Sequence, residues 1–400
     1  MNNVNKHLTS VLLAIIVISS IFSFPTDIFG KTLDNNYMRG YYYLKLNDTE
    51  KSAYDKIVEG VSDHQDSIPV PELNSDSKRH VVRAIRNDHP EFYNIIYSDP
   101  AIEFFKLPVS GMYYATSYND NDGKNNEVTK AKNEFLADAP RTGTDYEKVL
   151  FVHDKLVKDV DYSITGNTIY DILINHHGSS VAYALTMKYL LSALGVKSYV
   201  IEGQIVGDSF RLSNKYFYHM LNVVTINGNN CLIDVQRDEP IDLTEDSSVY
   251  NGTNYISHRY FNFSKETIKD FIPYDNDDWS DCNDQDASAS YYKNSGLYFS
   301  TYEDSKPHLT NIIKNNLLHN KNYIELQYGS ELETKKALSA LIIQDEFNSY
   351  LIEARVLSNQ VYGKMMYGSD KLVSQNVLYI GFPYTGGVTV TVDDNGVEQK

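Results

Sequence analysis

Cysteine is nearly absent: two residues, Cys231 and Cys282, in a chain of 400. A disulfide scaffold needs more, so the fold must stand on a hydrophobic core. The two could pair outside a cell, but Cys231 lies in an apolar, strand-like run and reads as a buried thiol. Basic residues are also scarce, with 36 Lys and Arg against 53 Asp and Glu and a net charge of -17. Phosphate binding needs clustered cations, so a nucleic-acid partner is not expected. After the N-terminus there is no apolar run long enough to cross ~30 Å of hydrocarbon.

What the chain does have is length and tyrosine. Its size implies about two or three domains. The 33 tyrosines suit half-wet sheets and binding surfaces, because each ring is apolar with a polar tip. At the N-terminus, Lys6 and His7 precede an apolar run from Leu8 to Phe24. That pattern reads as an export signal over residues 1–30, cut near Gly30, so the protein is expected to be secreted. If the signal stays uncleaved, it would be the sole membrane contact.

Periodicity predicts helices over Asp48 to Val61, capped by Thr49, and over Ser75 to Asn87, stopped by Asp88-His89-Pro90. Phe92 to Phe105 is β-prone, and the polar stretch Asn119 to Asn126 reads as a solvated turn. It lacks the closing glutamate of an EF-hand calcium loop. Further helices are predicted over Glu127 to Ala137, Tyr146 to Val160 and Val181 to Leu194. Strands follow at Ser198 to Gln204, Tyr216 to Ile226 and Cys231 to Gln236, the last two joined at Asn227-Gly228. The acidic stretch Asp275 to Asp286 reads as a linker. Beyond it, strands at Tyr323 to Tyr328 and Val377 to Pro383 flank a helix at Glu331 to Glu346. The organisation expected is a signal (1–30), an N-terminal mainly helical region (38–125), an α+β core (126–275) and a small C-terminal α/β unit (290–400).

Three segments carry candidate chemistry: Gly178-Ser179-Ser180 opening a helix, His219 on one strand and Asp234 on the next. With a two-residue turn, His219 and Asp234 share a sheet face as diagonal neighbours ~7–8 Å apart, within reach of a carboxylate–imidazole bond. A four-residue turn separates them by one more step, and a three-residue turn puts them on opposite faces. Ser180 or Ser179 could instead simply cap the helix, worth ~1 kcal/mol. His153 and Asp154 read as a local pair on their helix. The adjacent His176 and His177 lack a Cys or carboxylate at ligand spacing, so neither a metal nor any other cofactor is expected.

These segments resemble the transglutaminase-like superfamily, of papain-type fold, in its secreted bacterial form. The run from Ser180 through Tyr183 to Leu194-Gly195-Val196 is similar to the family's stretch from its catalytic cysteine to a Leu-Gly turn. His219-Met-Leu-Asn222 is similar to its histidine strand, and Leu232-Ile-Asp234-Val with Asp238-Glu-Pro240 to its aspartate strand. Asp88 to Phe92, His153 to Leu156 and Tyr260 to Ser264 add weaker likenesses, so the resemblance covers roughly Tyr42 to Tyr302. It implies a Cys-His-Asp triad in which Ser180 now stands at the cysteine position. Leu221 and Gln236-Arg237 replace family aromatics and their neighbour.

A helix N-terminus and an imidazole can turn a thiol into a thiolate, but a hydroxyl is too weak an acid for that. Serine would have to lose its proton while attacking, with His219 as base and Asp234 as orienter. Two functions follow, beside a third reading in which the domain is structural and the C-terminal region alone does the work. One is a catalytically inactive extracellular module, a pseudoenzyme that binds a protein, peptide or glycan. The other is an acyl-transfer enzyme, an amidohydrolase, peptidase or transglutaminase, using Ser180, His219 and Asp234.

Overall fold

The computed structural model describes residues 40–63, 68, 70–93, 121–206, 216–239, 255–268, 270–280, 282, 289–321, 323–358, 376–381, 391–392 and 398–399. The export signal and most of the β-prone stretch after Phe92 lie outside them. Among the described residues no helix is long and apolar enough to cross a membrane.

Helices α1 (Asp48–Ser62) and α2 (Ser75–Asp88) form where the periodicity placed them. The cap of α1 differs: Asn47, not Thr49, accepts the Thr49 and Glu50 N–H groups, and the Glu50 side chain answers from the third helical position. This reciprocal arrangement satisfies orphan donors at both ends of the turn. Helix α3 (Asn121–Phe135) starts inside the polar stretch that reads as a turn. Once Val128 is buried on one side, tertiary packing outweighs the weak propensity of Asn, Asp and Gly. Helix α4 (Asp145–Asp159) opens with a Thr144–Glu147 capping box and buries Val149, Val152, His153 and Leu156.

The core pairs α5 (Ser180–Ala193) with a five-stranded antiparallel sheet. Its strands are β1 (Ser198–Val206), β2 (Tyr216–Ile226), β3 (Asn229–Ile233), β4 (Phe261–Phe263) and β5 (Phe271–Pro273), in the order β4-β3-β2-β1-β5. The fold class is therefore α+β. The β2–β3 loop is the two-residue Asn227-Gly228 turn, with both φ angles positive (52° and 85°) and Ile226 opposite Asn229. Left-handed φ at both positions matches the natural twist of paired strands, which is why Asn-Gly sets this register. The third strand ends earlier than its apolar run: Asp234 leaves the ladder and caps a short helix, α6 (Val235–Asp238).

One face of the sheet carries Ile201, Leu221, Val223 and Leu232, closed over by Phe263, Ile268, Phe271 and Cys282. On the other face, Asn222 Nδ2 donates to Ala184 O at 2.9 Å and ties β2 to α5. Cys231 and Cys282 are both buried thiols, not a disulfide. The stretch predicted as an acidic linker departs from that reading at Asp278, which is fully buried and accepts Lys45, Arg83 and both Tyr41 and Tyr42 hydroxyls.

A second cluster of apolar side chains lies downstream, around β6 (Tyr298–Phe299), α7 (Tyr302–Leu318), β7 (Tyr323–Tyr328), α8 (Glu331–Leu338), α9 (Glu346–Ser358) and β8 (Val377–Gly381). The predicted single helix to Glu346 instead runs from α8 into a wide turn at Ser339–Ile343, and α9 follows. Residues from Tyr41 onward form one compact unit. Tyr255 donates to Glu325 on β7 at 2.7 Å and packs with Tyr323 and Tyr379 in a small third cluster.

Candidate functional site

The predicted register brings His219 and Asp234 together. His219 Nε2 and Asp234 Oδ2 are 2.6 Å apart, and both residues are buried. The other carboxylate oxygen accepts the Arg237 N–H at 3.3 Å, the cap of α6, and Arg237 Nε stands 3.7 Å from Oδ2. Arg237 is itself held by a two-pronged pair with Asp270, at 3.2 and 2.5 Å. Nδ1 is the ring nitrogen that this contact with Asp234 leaves unused.

An aromatic side chain and a glycine also flank the ring. Phe271 packs edge-on to it, centroids 6.1 Å apart. Gly203 pairs directly with His219 across β1 and β2. A Cβ there would fall 2.4 Å from Ile272 O and 2.5 Å from the Phe271 ring, so only glycine fits opposite the histidine.

Ser180 occupies the first turn of α5, and Ser179 the N-cap position. Neither caps the helix. The Ser179 hydroxyl donates instead to Asn167 Oδ1 at 2.5 Å. Ser180 is 6 % exposed, and among the described residues its hydroxyl has no hydrogen-bond partner, His219 included. The capping reading of these serines is thus replaced by a bare helix N-terminus with a hydroxyl beside it. Gly178, just upstream, lies so close to Ala182 and Ile172 that a Cβ would sit 2.8 Å from each.

A second polar constellation escaped the sequence reading. His153 and Asp154 do pair locally, at 3.0 Å, but that is a small part of their role. His153 Nε2 also meets Asp238 Oδ2 at 3.1 Å, and Asp154 Oδ1 meets His258 Nε2 at 2.9 Å. Asp238 is fixed by Ser257 Oγ at 2.7 Å and by the Tyr260 N–H. Burial disfavours the His258 cation, but Asp154 and Glu325 more than offset it and raise its pKa to about 9. Burial likewise opposes the Asp154 anion, yet the two imidazoles hold its pKa well below the ordinary carboxylate value. The available signal was position: His153 follows Val149 by four residues on the apolar stripe of α4, so it had to be a buried histidine with partners. His176 lies outside the strands, but His177 is not in a loop: it opens a two-residue strand, His177–Gly178, that pairs in parallel with Asp161 and Tyr162, and its Nδ1 is 3.0 Å from Asn175 O.

A third network joins α2 to the sheet. Glu202 on β1 accepts from Arg86 and Asn87, with Arg83 Nε 3.2 Å away.

Compared with known proteins, no family model matches this sequence, and no curated protein matches it. Three solved structures are similar in part. A candidate cysteine protease from Cytophaga hutchinsonii is 22 % identical with a TM-score of 0.24, covering 28 % of this chain and 39 % of its own. A candidate protease from Parabacteroides distasonis is 14 % identical with a TM-score of 0.21, covering 27 % and 24 %. A TGase is 13 % identical with a TM-score of 0.26, covering 41 % and 42 %. The chain therefore spans less than half the length of each.

Proposed function

We propose that this chain is an exported, transglutaminase-like protein that has lost acyl transfer and binds an extracellular protein, peptide or glycan. The observation that carries this reading is Ser180: an oxygen at the nucleophile position, at the start of a helix, with no hydrogen bond to His219. A serine nucleophile must pass its proton to a base within hydrogen-bond reach as it attacks. Among the described residues the Ser180 hydroxyl makes no hydrogen bond through which that transfer could run. Arg237, engaged with Asp270 and close to Asp234, supports the same reading, because it gives the Asp234 charge a structural partner besides the imidazole.

The second reading, an amidohydrolase, peptidase or transglutaminase with Ser180 attacking, is favoured by one observation. The His219–Asp234 bond is short and buried, as an orienting pair for a general base would be.

Three forms of the protein separate the two: wild type, Ser180→Ala and Ser180→Cys. Each is assayed for amine incorporation into a glutamine peptide and for peptide hydrolysis. The binding-module reading predicts a silent wild type, indistinguishable from Ser180→Ala. In Ser180→Cys the new thiol gains the helix N-terminus, so it should be alkylated below the ordinary thiol pKa of ~8.5. Cys231 and Cys282 are buried and should stay unlabelled in the folded protein. Turnover by wild type that disappears in Ser180→Ala would establish the enzyme reading instead.

A further inference from the structure

The His153–Asp154–His258 constellation lies outside the Ser180–His219–Asp234 site and bears on a function independent of whether Ser180 attacks. One nitrogen of each ring and one oxygen of Asp154 converge: all three atoms lie within 4.8 Å of one another. His153 and Asp154 come from consecutive positions of α4, while His258 arrives from the segment entering β4.

We propose that His153 Nδ1, Asp154 Oδ1 and His258 Nε2 bind a divalent first-row transition-metal ion of the Zn2+ class, with Asp238 and Glu325 orienting the two imidazoles. Two imidazoles and one carboxylate are a donor set suited to such ions. Ligand bonds of ~2.0–2.2 Å place donor atoms of a tetrahedral site somewhat over 3 Å apart. Asp154 Oδ1 is already 3.0 Å and 2.9 Å from the two nitrogens, so a shift of a few tenths of an ångström opens room for the ion.

The outer partners carry the case further. A metal-bound histidine characteristically presents its other ring nitrogen to a carboxylate or carbonyl. Here both do. His153 Nε2 faces Asp238 at 3.1 Å, and His258 Nδ1, which makes no hydrogen bond, faces Glu325 at 3.8 Å. Those carboxylates are anchored in turn, Asp238 by Ser257 and Tyr260, and Glu325 by Tyr255 and the His258 N–H at 3.3 Å. Tyr291 lies flat on His258, centroids 3.5 Å apart and planes 5° from parallel, and fixes that ring's plane.

Both histidines are buried, whereas the Asp154 side chain is 35 % exposed, which leaves an open side for entry and for a water ligand. The ion would pin the Asp238 end of α6, whose first residue is capped by Asp234.

The test uses the full chain, tag removed and stripped with chelator. Zn2+ and Co2+, each alone, are titrated by calorimetry and by visible absorption for Co2+, with retained metal counted after dialysis. The expected result is one equivalent bound, Co2+ bands typical of fewer than six ligands, and a higher melting temperature with Zn2+. Asp154→Asn keeps a neutral acceptor at a half-exposed position and should fold, but it should bind at least ~10-fold more weakly, as should His258→Gln. Glu325→Gln should lose ~10–100-fold through ring positioning. His177→Ala should bind as wild type. No stoichiometric binding by folded wild type, or wild-type affinity in both Asp154→Asn and His258→Gln, would overturn the proposal.

Discussion

Glu202 is a buried carboxylate whose loss should cost this fold several kcal/mol, on the order of a broken buried ion pair. It is 2 % exposed on β1 and receives Arg86, Arg83 and Asn87 from α2. Arg86 also donates to Tyr218 OH at 3.2 Å, on the strand position next to His219. Burial alone would raise the Glu202 pKa, but the two guanidiniums and Asn87 more than compensate and hold it at about 2, against 4.5 ordinarily. That depression corresponds to about 3 kcal/mol of preference for the folded, ionised state. Glu202→Gln keeps the shape and removes the charge, leaving two cations facing an amide. Breaking a buried pair from one side costs ~3–5 kcal/mol, the same order as the cost implied by that depression. The sign in pH follows. A depressed folded-state pKa gives stability that is present above ~4.5 and lost as pH falls toward 2, so Glu202→Gln should flatten that acid limb. Urea unfolding can be followed through Trp279, the sole tryptophan, which packs against Phe271 at the sheet face. A loss below ~1 kcal/mol at pH 7, or an unchanged acid limb, would refute the reasoning. Combining Glu202→Met with Arg86→Met should cost less than the sum of the single changes.

Other perturbations follow from single contacts. Ser180→Ala should change stability by less than ~0.5 kcal/mol in the same urea assay, because the hydroxyl caps nothing; a working N-cap would lose ~1 kcal/mol. Gly203→Ala should destabilise by ~1–3 kcal/mol or more, since the added carbon meets a backbone oxygen at 2.4 Å and an aromatic ring. Glu239 behaves oppositely to Glu202. Burial raises its pKa to about 7, with Asp161 adding to the shift and the Tyr162 N–H opposing it. Native protein thus holds a proton there that the unfolded chain releases near 4.5, and stability falls as pH rises from ~4.5 through 7. Glu239→Gln should remove that slope, gaining up to about 3 kcal/mol at pH 8 relative to wild type.

The His219–Asp234 pairing was legible because its determinants are local: an Asn-Gly turn, period-two strands and a short loop. The helices around Ser75 and Ser180 were legible for the same reason, through apolar spacing and a terminating Pro or Gly. Helix α7 was not, since Pro307 lies inside it and its stretch is rich in Asn and His, yet Leu309, Ile313 and Leu317 bury one stripe. The histidine–carboxylate cluster was invisible for another reason. His153 and Asp154 look like a neighbourly pair until β4 and α6 bring His258 and Asp238 across 104 and 85 residues of chain. Asp278 was misread likewise: an acidic stretch signals solvent unless cations from distant helices converge on it, as Lys45 and Arg83 do.

The most direct test of the central claim is covalent. Folded wild-type protein is treated with a fluorophosphonate, which phosphonylates activated serines with loss of fluoride, and its intact mass and peptide map are read. An unactivated hydroxyl predicts no adduct at position 180 under conditions that label a control serine hydrolase fully. A single stoichiometric adduct on Ser180, lost when His219 is changed to Ala, would contradict it.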